Sequence, residues 1–293
     1  MNFIGLRKYG YIISGILIFV SLYSIIIWKG FQFGIDFTGG VLIQVKFNKS
    51  VEVKQIRNAL EKKGFTGLII QRVGLKEENQ FIIKSKPVKE YNQLIKDIEK
   101  ALIDNFGKEN IQLPFQRTEV VGPTIGKDLR KQAYKLIVIA LILILLYIAY
   151  RFQFRFSIGA IIALIHDVTI TLGSFSFLEK EINIPIIAAI LTIIGYSLND
   201  TIVVYNRIRE NLQIMRKEPM DKIINTSISQ TLARTLITSI TTLLTAVSLF
   251  VFGGPIIHDF AFAFIIGIIV GTYSSIFVAS PIVYDLWMKK MKH

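Results

Sequence analysis

Six runs of apolar residues divide this chain, and each is about as long as the roughly 17–25 residues that a helix needs to cross a bilayer. They predict membrane helices near Tyr11–Trp28, Ala133–Tyr150, Phe156–Leu178, Ile184–Tyr205, Thr235–Phe252 and Phe260–Trp287. The first is long for a signal peptide and has no small-residue cleavage site after it, so it reads as an uncleaved helix with Trp28 at the far interface. The last exceeds what a bilayer requires, so a tilt or a projection past one surface is expected.

Between the first two runs the hydrophobic period changes repeatedly. Val41, Ile43, Val45 and Phe47 alternate with Gln44 and Lys46, the period of a strand. Val51–Lys63 has helical spacing with Ile56, Ala59 and Leu60 on one face, and Gly64 ends it. Leu68–Val73 and Gln80–Lys84 read as short strands around a polar turn at Lys76–Asn79. A long helix follows Pro87, carrying Tyr91, Leu94, Ile95, Ile98, Ala101, Leu102 and Phe106 on one face, and Gly107 closes it. Ile111–Val121 supplies a last extended stretch. The order βαββαβ is that of a ferredoxin-like split unit. The expected fold is an α-helical integral membrane protein with one α+β domain, divided as a first helix (1–29), the domain (30–130) and a five-helix part (131–293) with a polar segment at about 206–234.

Composition narrows the class. Hydrophobic residues make up 52% and charged residues 19% of 293, with a mean hydropathy of +0.51. A soluble enzyme, a disordered chain and a disulfide-stapled secreted domain are excluded. There are no cysteines and only three histidines, so no thiolate chemistry and little for a zinc centre. No phosphate-cradling loop is present, so neither a metal, a cofactor nor an enzymatic activity is expected.

The net charge of +13 is not a nucleic-acid footprint. Residues 30–130 hold 17 basic and 12 acidic side chains, an ordinary mixed surface, and no basic run is interleaved with stacking aromatics. The remaining surplus flanks the apolar runs and sets orientation. With the N-terminus inside, the cytoplasmic segments carry 13 basic residues, from Arg7 and Lys8 through Arg207, Lys217 and Arg234 to Lys289, Lys290 and Lys292. The other side has six: Lys180, together with Lys29, Lys127, Arg130, Lys131 and Lys135 beside the domain. The expected topology is N-in and C-in with the α+β domain outside the cytoplasm. The segment Asn206–Arg234, charged and mildly amphipathic, reads as an interfacial helix.

Candidate chemistry lies mostly in the apolar runs. A carboxylate deep in hydrocarbon costs several kcal/mol unless paired, wetted or protonated. Asp200 lies about 22 Å into the fourth run at 1.5 Å per residue. Tyr196 and Arg207 share its side of the helix, Asn199 and Thr201 flank it, and Arg234 enters the next run at comparable depth. Burial and a nearby guanidinium act on such an acid in opposite senses, a balance that suits a proton relay. A static ion pair between two helices is the competing reading. His166-Asp167 in the third run either passes protons or is hydrogen-bonded across the bundle. His258-Asp259, at the outer end of the sixth, reads as a cap or loop feature ahead of a proton entrance. Gly267, Gly271 and Ser275 recur every four residues and mark close helix packing. In Phe33-Gly34-Ile35-Asp36-Phe37-Thr38-Gly39-Gly40, Gly39 and Gly40 permit positive φ and Asp36 can accept backbone hydrogen bonds. With Thr38 they form either a rigid hinge or a ligand or peptide contact.

That glycine string resembles the signature of the SecF family, the smaller membrane subunits of the SecD–SecF complex of bacterial protein export. The similarity extends over essentially the whole chain. It includes Val121-Gly122-Pro123-Thr124-Ile125-Gly126, His166-Asp167, the run from Gly195 to Asn211 (Gly-Tyr-Ser-Leu-Asn-Asp-Thr-Ile-Val-Val-Tyr-Asn-Arg-Ile-Arg-Glu-Asn) and Arg234-Thr235-Leu236-Ile237-Thr238-Ser239. The resemblance implies half of a resistance–nodulation–division-like bundle in the bacterial inner membrane. It further implies an accessory subunit of the Sec preprotein translocase that uses the proton motive force with SecD. The SecYEG channel, YajC, YidC and unfolded preprotein would be its other partners. The relay would then comprise Asp200, Arg234, His166, Asp167, Asn199 and Thr201. A small-molecule or lipid transporter of the same architecture is the alternative, and an assembly factor with purely structural charges is a third.

Overall fold

A computed structural model describes residues 1–74 and 76–291; Lys292, counted above among the cytoplasmic cations, lies outside them. The chain divides into two compact units, one formed by Met1–Gln32 with the chain from Lys135 onward, the other by Phe33–Tyr134.

In the second unit the strands are β1 (Gly40–Lys46), β2 (Ile69–Val73), β3 (Gln80–Ser85) and β4 (Arg117–Val121), with helices α1 (Val53–Glu61) and α2 (Tyr91–Phe106) between them. The sheet order is β2-β3-β1-β4 with every neighbour antiparallel, the arrangement of the split βαβ unit. Alternation places Val41, Ile43 and Val45 of β1 on the helical side, where they pack with Phe81 and Ile83 of β3 and Ile56, Leu60, Ile98 and Leu102 of the helices. Leu42 and Ile82 face the other way and are covered by Ile35, Val73 and Val121. The Glu52 N–H donates to Gln55 Oε1 (2.8 Å) at the start of α1, and Gly107, with φ +82°, ends α2. The last extended stretch is shorter than its sequence implied: Ile111 makes only an isolated bridge to Phe47, and β4 begins at Arg117.

Among the described residues, six helices are long and apolar enough to cross a membrane: Arg7–Trp28, Pro123–Arg151, Phe154–Phe177, Ile184–Ile214, Met220–Phe252 and Ile257–Lys289. We call them the first to sixth spans. The third, fourth and sixth are the interior of the bundle, half or more of each apolar stretch being buried, whereas the other three are largely exposed. The first span meets this interior through one stripe of small residues. Gly10, Ser14 and Ser21 are its buried positions within Arg7–Tyr23. A Cβ on Gly10 would lie 3.1 Å from Phe277, and one on Gly173 would lie 2.2 Å from Ser21 Cβ. Gly267 and Gly271 act likewise inside the subunit, the first against Ile193 and the second against Ser197.

Three sequence boundaries need correction. The second span begins at Pro123, ten residues before its apolar run, because Pro at a helix start costs no hydrogen bond and the polar turns simply continue. Residues 206–234 contain no separate interfacial helix. The fourth span runs on to Ile214 and the fifth begins at Met220, and the extensions are tied together by Asn211 Nδ2 donating to Ser227 Oγ and Gln230 Oε1 (2.8 Å each). The length of the sixth includes a π turn at Ser275–Ala279, whose freed carbonyls are used: Ser280 Oγ donates to Ser275 O (2.8 Å) and the buried Tyr205 hydroxyl to Ala279 O (3.1 Å).

Candidate functional site within the bundle

Asp200 is buried, at 2% exposure, between the fourth, fifth and sixth spans. The hydrogen bond to its carboxylate comes from Ser239 Oγ of the fifth span, long at 3.4 Å, and Ser239 in turn shares a proton with Thr272 Oγ1 of the sixth at 2.7 Å. The Thr235 hydroxyl, one turn from Ser239, is buried without a partner, as is the Tyr196 hydroxyl one turn before Asp200. Asp200 is therefore hydrogen-bonded by a hydroxyl, while the Arg234 guanidinium acts on its charge from beyond bonding distance.

The residues expected around it divide. Thr201 is buried with Asp200, whereas Asn199, rotated 100° to the other side of it, is exposed. Arg207 turns to Glu210 (2.7 Å) and Gln230 (2.7 Å). Arg234 is exposed on the fifth span, and among the described residues no ion pair within 4.0 Å joins it to Asp200. Arg234, Thr238, Thr241, Thr245 and Ser248 recur at intervals of four and three on one exposed helix face. The hydroxyls of this face are bonded back to the preceding turn, as in Thr238 Oγ1 to Arg234 O (3.0 Å) and Ser248 Oγ to Leu244 O (2.9 Å).

His166 and Asp167 form a second polar centre at the middle of the third span, both at most 2% exposed. His166 Nδ1 lies 2.8 Å from Asp167 Oδ1, and its Nε2 lies 3.1 Å from Ser14 Oγ. The other carboxylate oxygen accepts from Ser197 of the fourth span and from Ser274 of the sixth (2.8 Å). Although adjacent in sequence, the two side chains converge on each other, and hydroxyls of three other spans complete the set. Ser14, Ser197 and Ser274 escape sequence reasoning because a serine in an apolar run reads as a small packing residue. The signal that would have found Ser14 is its place in the stripe Gly10, Ser14, Ser21 and Ser24. By contrast, His258-Asp259 is a surface fixture: Asp259 pairs with Lys180 (2.6 Å) and the imidazole stacks on Phe250 at 4.1 Å.

The glycine string lies inside the second unit. Ile35–Thr38 forms one helical turn, with Thr38 Oγ1 donating to Gly34 O (3.1 Å) and Gly39 O (3.0 Å), and Asp36 in its first turn. Gly39 has φ +75° and ψ 167°, a region open essentially to glycine alone. Gly40 has φ +135°, and a Cβ there would lie 2.1 Å from Ser85 O. Gly126 closes on the same place, its Cβ position 2.9 Å from Gly39 N.

Two family models match the chain. One, described as "Protein export membrane protein SecD/SecF, C-terminal", matches residues 100–289, and the other, "SecD/SecF GG Motif", matches residues 26–51. The Protein translocase subunit SecF of Haemophilus influenzae is 42% identical over 289 residues, covering 99% of this chain and 87% of that protein. The chain belongs to the SecF family. The SecF subunit of Thermodesulfovibrio yellowstonii is 45% identical, with 97% and 93% covered. Among solved structures, SecDF from Thermus thermophilus, a translocon-associated membrane protein, superposes with a TM-score of 0.86 at 39% identity. That match covers 99% of this chain but only 39% of the longer SecDF chain. The SecF family thus accounts for the bundle, the α+β unit and the glycine string together.

Proposed function

We propose that this SecF-family chain is the smaller membrane subunit of a proton-driven accessory complex of the Sec preprotein translocase, paired with a SecD-type subunit in the bacterial inner membrane. SecYEG and an emerging unfolded preprotein are its working partners, with YajC and YidC as further associates. The observation that carries the coupling is Asp200: a carboxyl group buried at three spans, hydrogen-bonded by the Ser239 hydroxyl and felt by the Arg234 guanidinium without a direct ion pair among the described residues. Arrival or departure of a proton there changes the charge of the bundle interior. Because an interior charge is costly, the change shifts the balance between helix packings. The test is preprotein export in membrane vesicles containing the complex, with and without a protonophore. Stimulation by this chain that survives collapse of the gradient would defeat the reading.

Orientation belongs to the same proposal. The Ile4 N–H donates to Asn225 Oδ1 (2.9 Å) and Arg7 pairs with Asp285 (3.3 Å), so the N-terminus, the start of the fifth span and the end of the sixth share one end of the bundle. The excess of basic residues at that end supports a cytoplasmic location. Single cysteines at Lys62 and Lys217 are expected to label from opposite faces of the membrane, with Lys62 reached from outside. Labelling of both from one face would reverse the assignment.

Arg234, which acts on Asp200 electrostatically without bonding to it, stands on an exposed face of the fifth span. An arginine at the edge of an apolar run and a line of hydroxyls along it gain nothing from facing hydrocarbon. This face of the fifth span is therefore proposed to meet the SecD-type subunit. Arg234→Gln is expected to reduce co-purification of that subunit severalfold while leaving the thermal stability of the isolated chain unchanged. Unchanged recovery of the partner would remove Arg234 from the interface.

A further inference from the structure

The hydrogen bonds around His166 run in a line from the third span to the first. His166 Nδ1 meets Asp167 Oδ1 at 2.8 Å, and His166 Nε2 meets Ser14 Oγ at 3.1 Å. Ser14 Oγ then lies 3.3 Å from the Tyr273 hydroxyl, and that hydroxyl donates to the backbone carbonyl of Gly10 at 2.7 Å. The Tyr273 ring stacks on the imidazole at 6.1 Å and 25°. Both ends of the line are fixed. Asp167 is held by Ser197 and Ser274, and the carbonyl of Gly10 is part of the first-span backbone.

Donor counting gives this line a direction. When the imidazole carries both ring protons, Nδ1–H donates to Asp167, Nε2–H donates to Ser14, Ser14 donates to Tyr273 and Tyr273 donates to Gly10. Every proton has an acceptor and every link is made. When Nε2 is bare, the single Ser14 proton is claimed by both Nε2 and Tyr273, and one link must be given up. The lost link is one that ties the first span to the third and sixth. The other polar bonds on the first span lie toward its two ends: Ser24 Oγ meets Ser176 Oγ at 2.9 Å and Lys29 meets Glu179 at one, and Arg7 and Tyr11 engage Asp285 and Ile4 N–H donates to Asn225 at the other.

We propose that Ser14, His166, Asp167 and Tyr273 form a protonation-dependent clamp on the first span, closed when His166 is doubly protonated and loosened when Nε2 is bare. Other titratable groups stand on the elements packed around it, including Tyr196 of the fourth span and, at the far end of the sixth, His258 with Asp259. Tyr273 is part of the line, Asp200 lies one turn beyond Ser197 on the fourth span, and Arg7, Tyr11 and Asp285 are paired with one another at the end of the bundle. The clamp is a positioning device, since its residues act on the first span and touch no substrate. It does not rest on the relay assigned to Asp200.

The chain has no cysteine, so two introduced ones are the only labelling sites. Ile16 on the first span and Ile165 on the third are 57% and 61% exposed and accept spin labels without disturbing the packing. The full chain in lipid nanodiscs is then measured by pulsed electron–electron resonance at about pH 5 and about pH 8, a range that histidine titration spans. A single narrow distance distribution is expected at the lower pH and an added, broader population at the higher. Ser14→Ala should show the broader population at both, and Ser14→Thr, which keeps the hydroxyl, should restore the response. His166→Gln should abolish the pH dependence. A distribution unaffected by pH in the unmutated chain overturns the clamp, as does a Ser14→Ala chain that responds normally. A response that vanishes in Asp200→Asn assigns the change to the relay and overturns the clamp as well.

Discussion

Asp200→Asn is expected to abolish gradient-stimulated export while the chain still inserts, folds and recovers its SecD-type partner. Asn matches Asp in volume and can still accept from Ser239, whose 3.4 Å contact is the hydrogen bond on the carboxylate. What the substitution removes is the ability to gain and lose a proton. The structure makes this a cleaner experiment than an ion pair would allow. Removing one member of a buried pair leaves the other uncompensated, at a cost of roughly 3–5 kcal/mol, and lost function would then be hard to separate from lost protein. Among the described residues no guanidinium is bonded to Asp200, although Arg234 acts on it electrostatically, so the substitution breaks no direct ion pair. Export is compared in vesicles matched for complex abundance, with and without a proton gradient. Gradient-stimulated export by the Asn variant would return Asp200 to the packing of the fourth, fifth and sixth spans.

The same geometry shows which parts of the site could be read from sequence. Asp200 stood out because a carboxylate in an apolar run has no cheap explanation, and depth along a helix follows from residue count. Which side a residue faces does not follow from depth. Arg234 has a depth comparable to Asp200, but its direction is set by the rotation of the fifth span about its own axis. That rotation is fixed by Ser239 and Thr235 turning inward, and the cation is left outside. Asn199 is lost from the site for the same reason.

His166 and Ser14 show a different limit. Their contact joins residues 152 positions apart, and nothing local in either run specifies it. The α+β unit was legible in finer detail because alternation of period two fixes both the strand and its buried face. The helix extents beyond the apolar runs, at 123–132 and 206–234, were not, because polar residues in helix and in loop have the same hydropathy. Hydrogen bonds such as Asn211 to Ser227 decide between them only once the two helices are side by side.

Gly40→Val is expected to unfold the Phe33–Tyr134 unit, and the reason separates a packed glycine from a hinge. At Gly40 the backbone has φ +135° and the space for a Cβ is taken by Ser85 O at 2.1 Å, a backbone atom of the neighbouring strand that cannot swing aside. Gly40 pairs with Val121 and the next residue, Val41, with Ser85, so relieving the collision parts β1 from β3 at the end where the central strand begins. Backbone strain of about 1–3 kcal/mol is added to the loss of strand pairing. Together these reach a large part of the roughly 5–15 kcal/mol that holds a typical domain. A hinge makes the opposite forecast. There Gly40→Ala would alter motion and leave stability alone, because a methyl group in open space costs little. The deciding measurement is limited proteolysis of the full membrane-inserted chain, read at sites within residues 33–134. Gly40→Ala should already be cleaved faster than the unmutated chain and Gly40→Val faster still, with the spans intact in both. Wild-type protease resistance in Gly40→Val would show that the β1–β3 contact yields without cost, and the motif would then have to act by flexing.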